Sequence, residues 1–251
     1  MDFFKSSNPA LSDKIFTKAG AYTSDETMTV QGTMNKTLLM LLLVILGAAF
    51  TWKVFFESLN PSSVTVWMLV GGIGGFITSL IVIFAPKTSP YTAPIYSVLE
   101  GLFLGGISAF FAAQYQMTII FQAIGLTFGT FLLMLLAYRS GVIKATAKFK
   151  MGVLVATGAI ALMYFISFIL GFFGINIGFI HSNGPLGIII SLVIVGIAAL
   201  NLILDFDFID RASNQGAPKY MEWYGAFGLM VTLVWLYIEF LRLLSKLNSR
   251  N

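Results

Sequence analysis

The sequence LGIIISLVIVGIAALNLIL, residues 186–204, decides the fold class of this chain. It contains no charged residue, and an uninterrupted apolar run of about 20 residues matches the hydrocarbon thickness of a bilayer. Other runs of similar length and composition occur along the chain. Together they predict seven membrane spans, at about 36–56, 64–85, 93–113, 117–138, 152–173, 186–209 and 220–245.

Composition supports a helical membrane protein. Of 251 residues, 57% are hydrophobic and 10% are charged, and the mean hydropathy is +0.87. A soluble core of this size cannot hide so much apolar surface. Strands of a membrane barrel are shorter and alternate in polarity, whereas these runs are apolar on all sides. We therefore predict an all-α polytopic bundle, with a polar cytosolic arm over residues 1–35 and one transmembrane domain over residues 36–247.

Lys and Arg residues are distributed unevenly between the spans. The first, third and fifth connections, residues 58–63, 114–116 and 174–185, contain none. Because positive residues are retained on the cytoplasmic side, this asymmetry predicts a cytoplasmic N-terminus and places those three connections outside. The arm lacks the apolar core of a secretory signal. Three positive residues near the C-terminus oppose the rule, namely Arg242, Lys246 and Arg250.

Several function classes are excluded by the residues present. The chain has no cysteine, so thiol chemistry and cysteine metal sites are not available. Its net charge of +4 is explained by topology, so no nucleic-acid partner is expected. The segment from Gly106 to Ala109 has the form of an intramembrane serine-protease motif. However, the serine needs a histidine base, and the single histidine, His181, lies in an outer connection. We expect neither an enzyme nor a cofactor.

Small residues recur at four-residue spacing in two neighbouring spans. Gly71 and Gly75 lie in the second span, and Ser97, Gly101 and Gly105 continue the spacing in the third. Such spacing is typical of helices that approach one another closely in a membrane. We interpret these faces as helix contacts.

Glu100 is a carboxylate inside the third span. An unpaired carboxylate there costs about 2.5–3.5 kcal/mol on insertion scales, so Glu100 is expected to face the bundle interior. Two roles fit it equally: a hydrogen-bonded structural contact between helices, or a position on an ion path.

The sixth span ends in a group of polar residues. Asp207, Asp210 and Arg211 share one helical face and are predicted to neutralise each other at the cytoplasmic boundary. Asp205 lies on another face, one turn from Asn201. An Asn–Asp stripe on an otherwise apolar helix is expected to point inward, and we interpret Asp205 as a functional residue.

The last span carries Glu222 at its start and Glu239 near its far end. They are 17 positions apart, which corresponds to about 26 Å of helix, so the two cannot share one compact site. A simple hairpin would bring Glu222 near the level of Asp205. Glu239 precedes Arg242 by three residues and could form an ordinary ion pair with it.

Three stretches together resemble the bacterial branch of the Bax inhibitor-1/YccA-like family. They are PYTAPIY with EGLFLG in residues 90–105, LDFD in residues 204–207, and WYG with WLYIEFLRLL in residues 223–244. The resemblance implies a seven-helix fold with a central last helix, located in the bacterial inner membrane. It also implies a pH-sensitive calcium leak, controlled by a carboxylate pair between the last two helices.

Of this pair, Asp205 matches the acid of the sixth helix. The partner on the seventh helix depends on register, because the Tyr-x-acid-Phe pattern gives Glu239 and the Leu-Arg-Leu-Leu pattern gives Thr232. The second alignment, which we prefer, removes the paired acid. The second span also lacks the arginine found in some family members, and Glu222 or Glu100 would then have to substitute.

The predicted function is therefore a calcium leak gated by protonation of intramembrane carboxylates. Calcium requires six to eight oxygen ligands, so a few carboxylates with water suit weak transit binding at Asp205 better than storage. The expected partners are the lipid bilayer and calcium ions or protons. The alternative is a non-transporting scaffold that regulates membrane-protein quality control, with a membrane protease as its partner. The candidate residues for the ion path and pH sensor are Asp205, Glu239, Glu222, Glu100, Asp207 and Asn201.

Overall fold

A computed structural model describes residues 27–58, 60–175, 178 and 182–249. Most of the predicted arm, residues 1–26, and His181 lie outside the described residues. The described part contains seven helices that are long and apolar enough to cross a membrane, which confirms the seven predicted spans. They are α1 Val30–Ser58, α2 Thr65–Phe84, α3 Ser89–Tyr115, α4 Thr118–Arg139, α5 Ala147–Phe172, α6 Pro185–Asn214 and α7 Met221–Asn248.

The helices extend beyond several of the predicted spans. The first helix begins at Val30, so the end of the predicted arm is helical. Hydropathy missed this turn because its residues are polar. Short 3-10 turns, Pro61–Val64 and Pro86–Thr88, precede α2 and α3, where proline at the first position is compatible with a helix start.

The last helix is central, as the family resemblance implies. It packs against α1, α3, α4 and α6. In its most apolar 18-residue window 67% of the residues are buried, compared with 11% in α5. The fifth helix is peripheral and packs chiefly against α6. Side chains on α7 can therefore contact most of the bundle, whereas α5 contacts it mainly through α6.

The small residues allow α2 and α3 to approach closely, as predicted, and they also bring α1 close to α3. A Cβ atom at Gly101 would lie 3.0 Å from Cα of Val44 in α1, and one at Gly105 would lie 2.7 Å from Cα of Ala48. On the other side of α3, a Cβ atom at Gly71 would lie 2.6 Å from the backbone nitrogen of Phe103. Real Cβ atoms do not come so close to backbone, so these three helices need glycine here.

Candidate functional site

Asp205 is completely buried between the last two helices. Its side chain has 0% exposed surface, and the Thr232 hydroxyl of α7 donates a hydrogen bond of 2.6 Å to its Oδ2 atom. This pair follows the register that aligns the Leu-Arg-Leu-Leu pattern. The partner of Asp205 on α7 is thus a neutral hydroxyl, and the acidic pair implied by the family resemblance is replaced by an Asp–Thr pair.

Asn201 lies one turn before Asp205 on the same helix, as the stripe predicts. Its amide donates to the Thr157 hydroxyl of α5 at 2.8 Å and to the carbonyl of Ile197 at 2.9 Å. Thus α6 presents adjacent polar groups to different neighbours, Asn201 to α5 and Asp205 to α7.

Asp207 lies in an ion-pair cluster at the end of α6. Its Oδ2 atom is 2.8 Å from Nε of Arg211 and 2.5 Å from Nζ of Lys150 in α5. The predicted pair with Arg211 is confirmed, and Lys150 is an additional partner. Asp210 also accepts a hydrogen bond of 2.8 Å from the Tyr138 hydroxyl of α4. The cluster therefore fastens α5 and α4 to α6.

Glu239 lies near the opposite end of α7, in a network of its own. Its carboxylate accepts hydrogen bonds from the Tyr164 hydroxyl at 2.9 Å, from Nε1 of Trp235 at 3.2 Å and from Nη1 of Arg242 at 3.0 Å. The guanidinium of Arg242 also lies 4.9 Å from the ring centre of Tyr164. Glu239 forms the ion pair expected of it and is not the partner of Asp205 on α7.

The contacts of Asp207, Asn201 and Glu239 with α5, together with the contact of Asp205 with Thr232, form a set that we call the polar seam. On α5 the contributing residues are Lys150, Thr157 and Tyr164, which are seven residues apart. From Lys150 to Tyr164 the helix rises about 21 Å, compared with a hydrocarbon core of about 30 Å. Hydrogen-bonding groups are therefore distributed along most of the depth between α5, α6 and α7.

Glu222 is fully buried outside the seam, against the start of α1. Its Oε1 atom accepts hydrogen bonds of 2.9 Å from the backbone N–H and the hydroxyl of Thr29 and lies 3.3 Å from Nζ of Lys219. Its Oε2 atom is paired with Lys36. The prediction that a simple hairpin places Glu222 near the level of Asp205 is wrong. On α7 the residue at the level of Asp205 is Thr232, ten residues after Glu222.

Glu100 also lies outside the seam, on the opposite flank of the bundle. It is nearly buried, as predicted, and a Cβ atom at Gly75 of α2 would lie 3.0 Å from its Oε2 atom. The Tyr96 side chain, one turn earlier, is its hydrogen-bonding neighbour. The six candidate residues therefore do not form one cluster: four lie along the seam at different depths, and Glu222 and Glu100 lie elsewhere.

Among the described residues no group of three or more His, Asp or Glu side chains is placed to hold a metal ion. A sequence profile of the Bax inhibitor 1 like family matches residues 8–249. The chain belongs to the Bax inhibitor 1-like family. A search of curated proteins gave no significant match.

For this Bax inhibitor 1-like protein, sequence reasoning missed the seam residues contributed by α5. In the sequence Lys150 indicates only the topology, and Thr157 and Tyr164 lie inside a predicted span. Their seven-residue spacing on an otherwise apolar helix is the signal that could have identified them, because residues seven apart lie on nearly the same face. Lys36 was missed for the same reason as Lys150.

Proposed function

We propose that this Bax inhibitor 1-like protein is a pH-sensitive calcium leak whose path follows the polar seam, with Asp205 as its protonation site. We further propose that it lies in the bacterial inner membrane with a cytoplasmic N-terminus. The observation that carries the proposal is the position of Asp205, a fully buried carboxylate within the membrane that is hydrogen-bonded by a neutral hydroxyl. Ionisable residues kept inside a membrane commonly mark ion or proton paths.

The chemistry of the seam suits transit better than storage. Calcium requires six to eight oxygens, and the seam offers single carboxylates and hydroxyls at successive depths. An ion passing along it would keep part of its water shell and exchange the rest from one level to the next. Weak contacts at several levels allow an ion to leave as well as to enter.

Protonation would control this path through competition. An ionised Asp205 attracts a cation strongly in a low-dielectric interior, and a protonated Asp205 does not. The proton and the calcium ion therefore compete for the same carboxylate oxygens, so the flux should depend on pH.

Calcium flux into proteoliposomes, measured across a pH series, tests the proposal. The wild-type protein should give a flux that changes with pH, and Asp205→Asn should give one that is nearly independent of pH. Glu57→Gln is the matched control, because Glu57 is exposed and lies outside the seam. An unchanged pH profile in folded Asp205→Asn would refute the role of Asp205. The competing hypothesis, a non-transporting scaffold, predicts no flux from the wild-type protein.

A further inference from the structure

An apolar groove lies on the other side of α7 from the polar seam. Its volume is about 400 Å³, which is within the range of small-ligand sites. Its walls are α1 and α4, and its floor is formed by α3 and α7. The groove opens between the two walls, where Ile45 and Phe121 are exposed at its rim.

The groove occupies one half of the membrane depth. Its lining on α1 runs from Leu41 to Trp52, which corresponds to about 16 Å of helix. This length is close to half of a hydrocarbon core of about 30 Å. The lining on α4 comes from its first three turns, from Ile120 to Phe128, which lie at the same end of the bundle as Trp52. The groove therefore spans one leaflet, at the Trp52 end.

The lining offers few polar groups to an occupant. Its side chains are apolar except for three hydroxyls and the indole of Trp52. Ser108 and Tyr237 are hydrogen-bonded to each other at 2.7 Å, and Thr127 donates to the carbonyl of Ala123 at 2.7 Å. Because the hydroxyls are engaged within the protein, an occupant gains mainly from apolar contact.

The end of the groove at Trp52 has the features of a membrane interface. Tryptophan is enriched at the level of lipid headgroups. The next residue, Lys53, has 75% of its side chain exposed, and its ion pair with Glu57 is long, at 3.8 Å. An exposed pair of this kind contributes little, so the ammonium group can also contact a phosphate group at this level.

We propose that the groove binds one acyl chain of a phospholipid from the leaflet at the Trp52 end, with the lipid phosphate near Lys53. A saturated or singly unsaturated chain fits the length, the lining and the lateral opening. The site is independent of the ion path, since α7 separates the two.

Photocrosslinking in proteoliposomes tests this proposal. The probe is phosphatidylglycerol with a diazirine at mid-chain, and crosslinked residues are identified by peptide mass spectrometry. Lipids that merely surround the protein can reach its exposed surface, but they cannot reach Leu104, Met230 and Leu233, which are buried at the floor of the groove. Crosslinks at these floor residues are the expected result.

Two variants fill the groove and one serves as control. Ile124→Trp and Ile45→Trp add bulk from α4 and from α1, and each should cause loss of the floor crosslinks. Leu133→Trp places the same side chain at an exposed position of α4 outside the groove and should retain them. Lys53→Gln should lower the crosslinking yield, and Lys53→Arg should restore it.

The opposite results would overturn the proposal. Wild-type protein that gives crosslinks only at exposed positions has no acyl chain in the groove. Floor residues that crosslink to a second copy of the chain or to another membrane helix would assign the groove to a protein partner. If crosslinks at the floor residues persist in both Ile124→Trp and Ile45→Trp, the diazirine reaches these residues without an acyl chain in the groove.

Discussion

At the residue scale, the surroundings of Asp205 determine how it can titrate. Its partner on α7 is the Thr232 hydroxyl, which carries no charge at any accessible pH. Two coupled carboxylates lose their protons in two steps that belong to the pair. The contact between Asp205 and Thr232 contains only one titratable group, so it adds no second step to the pH profile of the flux.

Replacement of Thr232 should reveal what the hydroxyl contributes. In Thr232→Val the carboxylate loses a buried donor, which we expect to lower the free energy of unfolding by about 1 kcal/mol. The midpoint of the pH profile should also move, because a hydrogen bond to the ionised form is lost. Thr232→Ser, which keeps the hydroxyl, is the control. Denaturant unfolding in mixed micelles and flux at graded pH are the measurements, and a valine variant identical to wild type in both would contradict this role.

Asp205 should act independently of the two glutamates on α7. Glu222 lies ten residues before Thr232 and Glu239 seven residues after it, about 15 Å and 10 Å along the helix. We therefore expect Asp205→Asn to combine with Glu222→Gln, and with Glu239→Gln, additively to within about 0.5 kcal/mol in unfolding free energy. Double-mutant cycles provide the measurement. A coupling energy well above 0.5 kcal/mol for either pair would show that this glutamate is an acidic partner of Asp205.

Sequence reasoning predicted the ion pairs inside one helix and missed most of the polar contacts between helices. The ion pairs of Asp207 with Arg211 and of Glu239 with Arg242 follow from three- and four-residue spacing. The contact of Asn201 with Thr157 depends on how two helices are rotated and shifted against each other, which spacing in one helix does not determine. The register of Thr232 was obtained from a family pattern and not from periodicity.

At the scale of elements, α1 begins in an unusual way. Its cap residue, Thr29, accepts a hydrogen bond of 2.9 Å from the backbone N–H of Gly32. In a common capping box the residue three positions after the cap is Glu or Gln, and its side chain accepts the N–H of the cap residue. Here that residue is Gly32, and the carboxylate comes from Glu222 of α7. The missing side chain at Gly32 provides the space that Glu222 occupies.

Alanine at Gly32 should therefore destabilise the protein. A Cβ atom there would overlap the Glu222 carboxylate, although Gly→Ala inside a helix ordinarily stabilises by about 0.5–1 kcal/mol. We expect Gly32→Ala to lower the thermal midpoint in detergent. Gly129→Ala in α4 is the matched control, because nothing lies within 4 Å of a Cβ atom there, and it should leave the midpoint unchanged or raise it. Equal changes in the thermal midpoint of the two variants would argue against a cap that Thr29 and Glu222 form together, the shared cap of α1.

The fifth helix is held differently from its neighbours. It contributes only two buried side chains, Val153 and Ile160, yet Lys150, Thr157 and Tyr164 each form a polar contact with α6 or α7. Hydropathy identified α5 as a span but could not show that polar contacts attach it. We expect removal of these polar contacts to weaken the packing of α5 more than that of the helices with more buried side chains.

At the scale of the whole molecule, the seven spans were predictable because bilayer thickness alone fixes their length. Two of the three C-terminal positive residues that oppose the topology rule have partners on α6 or α7, and the third, Arg250, lies outside the described residues. Arg242 is paired with Glu239, and the Lys246 ammonium donates to the carbonyl of Gly187 at 3.0 Å and to the Ser191 hydroxyl at 2.9 Å. Arg242 therefore has a carboxylate partner, whereas the hydrogen bonds of Lys246 are to neutral acceptors.

Cysteine labelling tests the orientation, since the chain has no cysteine of its own. Single cysteines at Ser6, Ala145 and Ser182 should report the two sides of the membrane. We expect an impermeant maleimide added outside to label Ser182→Cys only, because the other two positions lie among positive residues that are retained in the cytoplasm. Labelling of Ser182→Cys from the cytoplasmic side alone would reverse the assigned orientation.

The shared cap of α1 has a consequence for biosynthesis. Thr29 and Glu222 are separated by 193 positions in the chain, so the ribosome makes the first helix long before the residue that completes its amino end. Until α7 enters the bilayer, α1 lacks this acceptor and the centre of the bundle lacks its most buried helix. We expect nascent chains that stop before residue 221 to remain loosely assembled. The seventh helix would then be the one that completes the bundle.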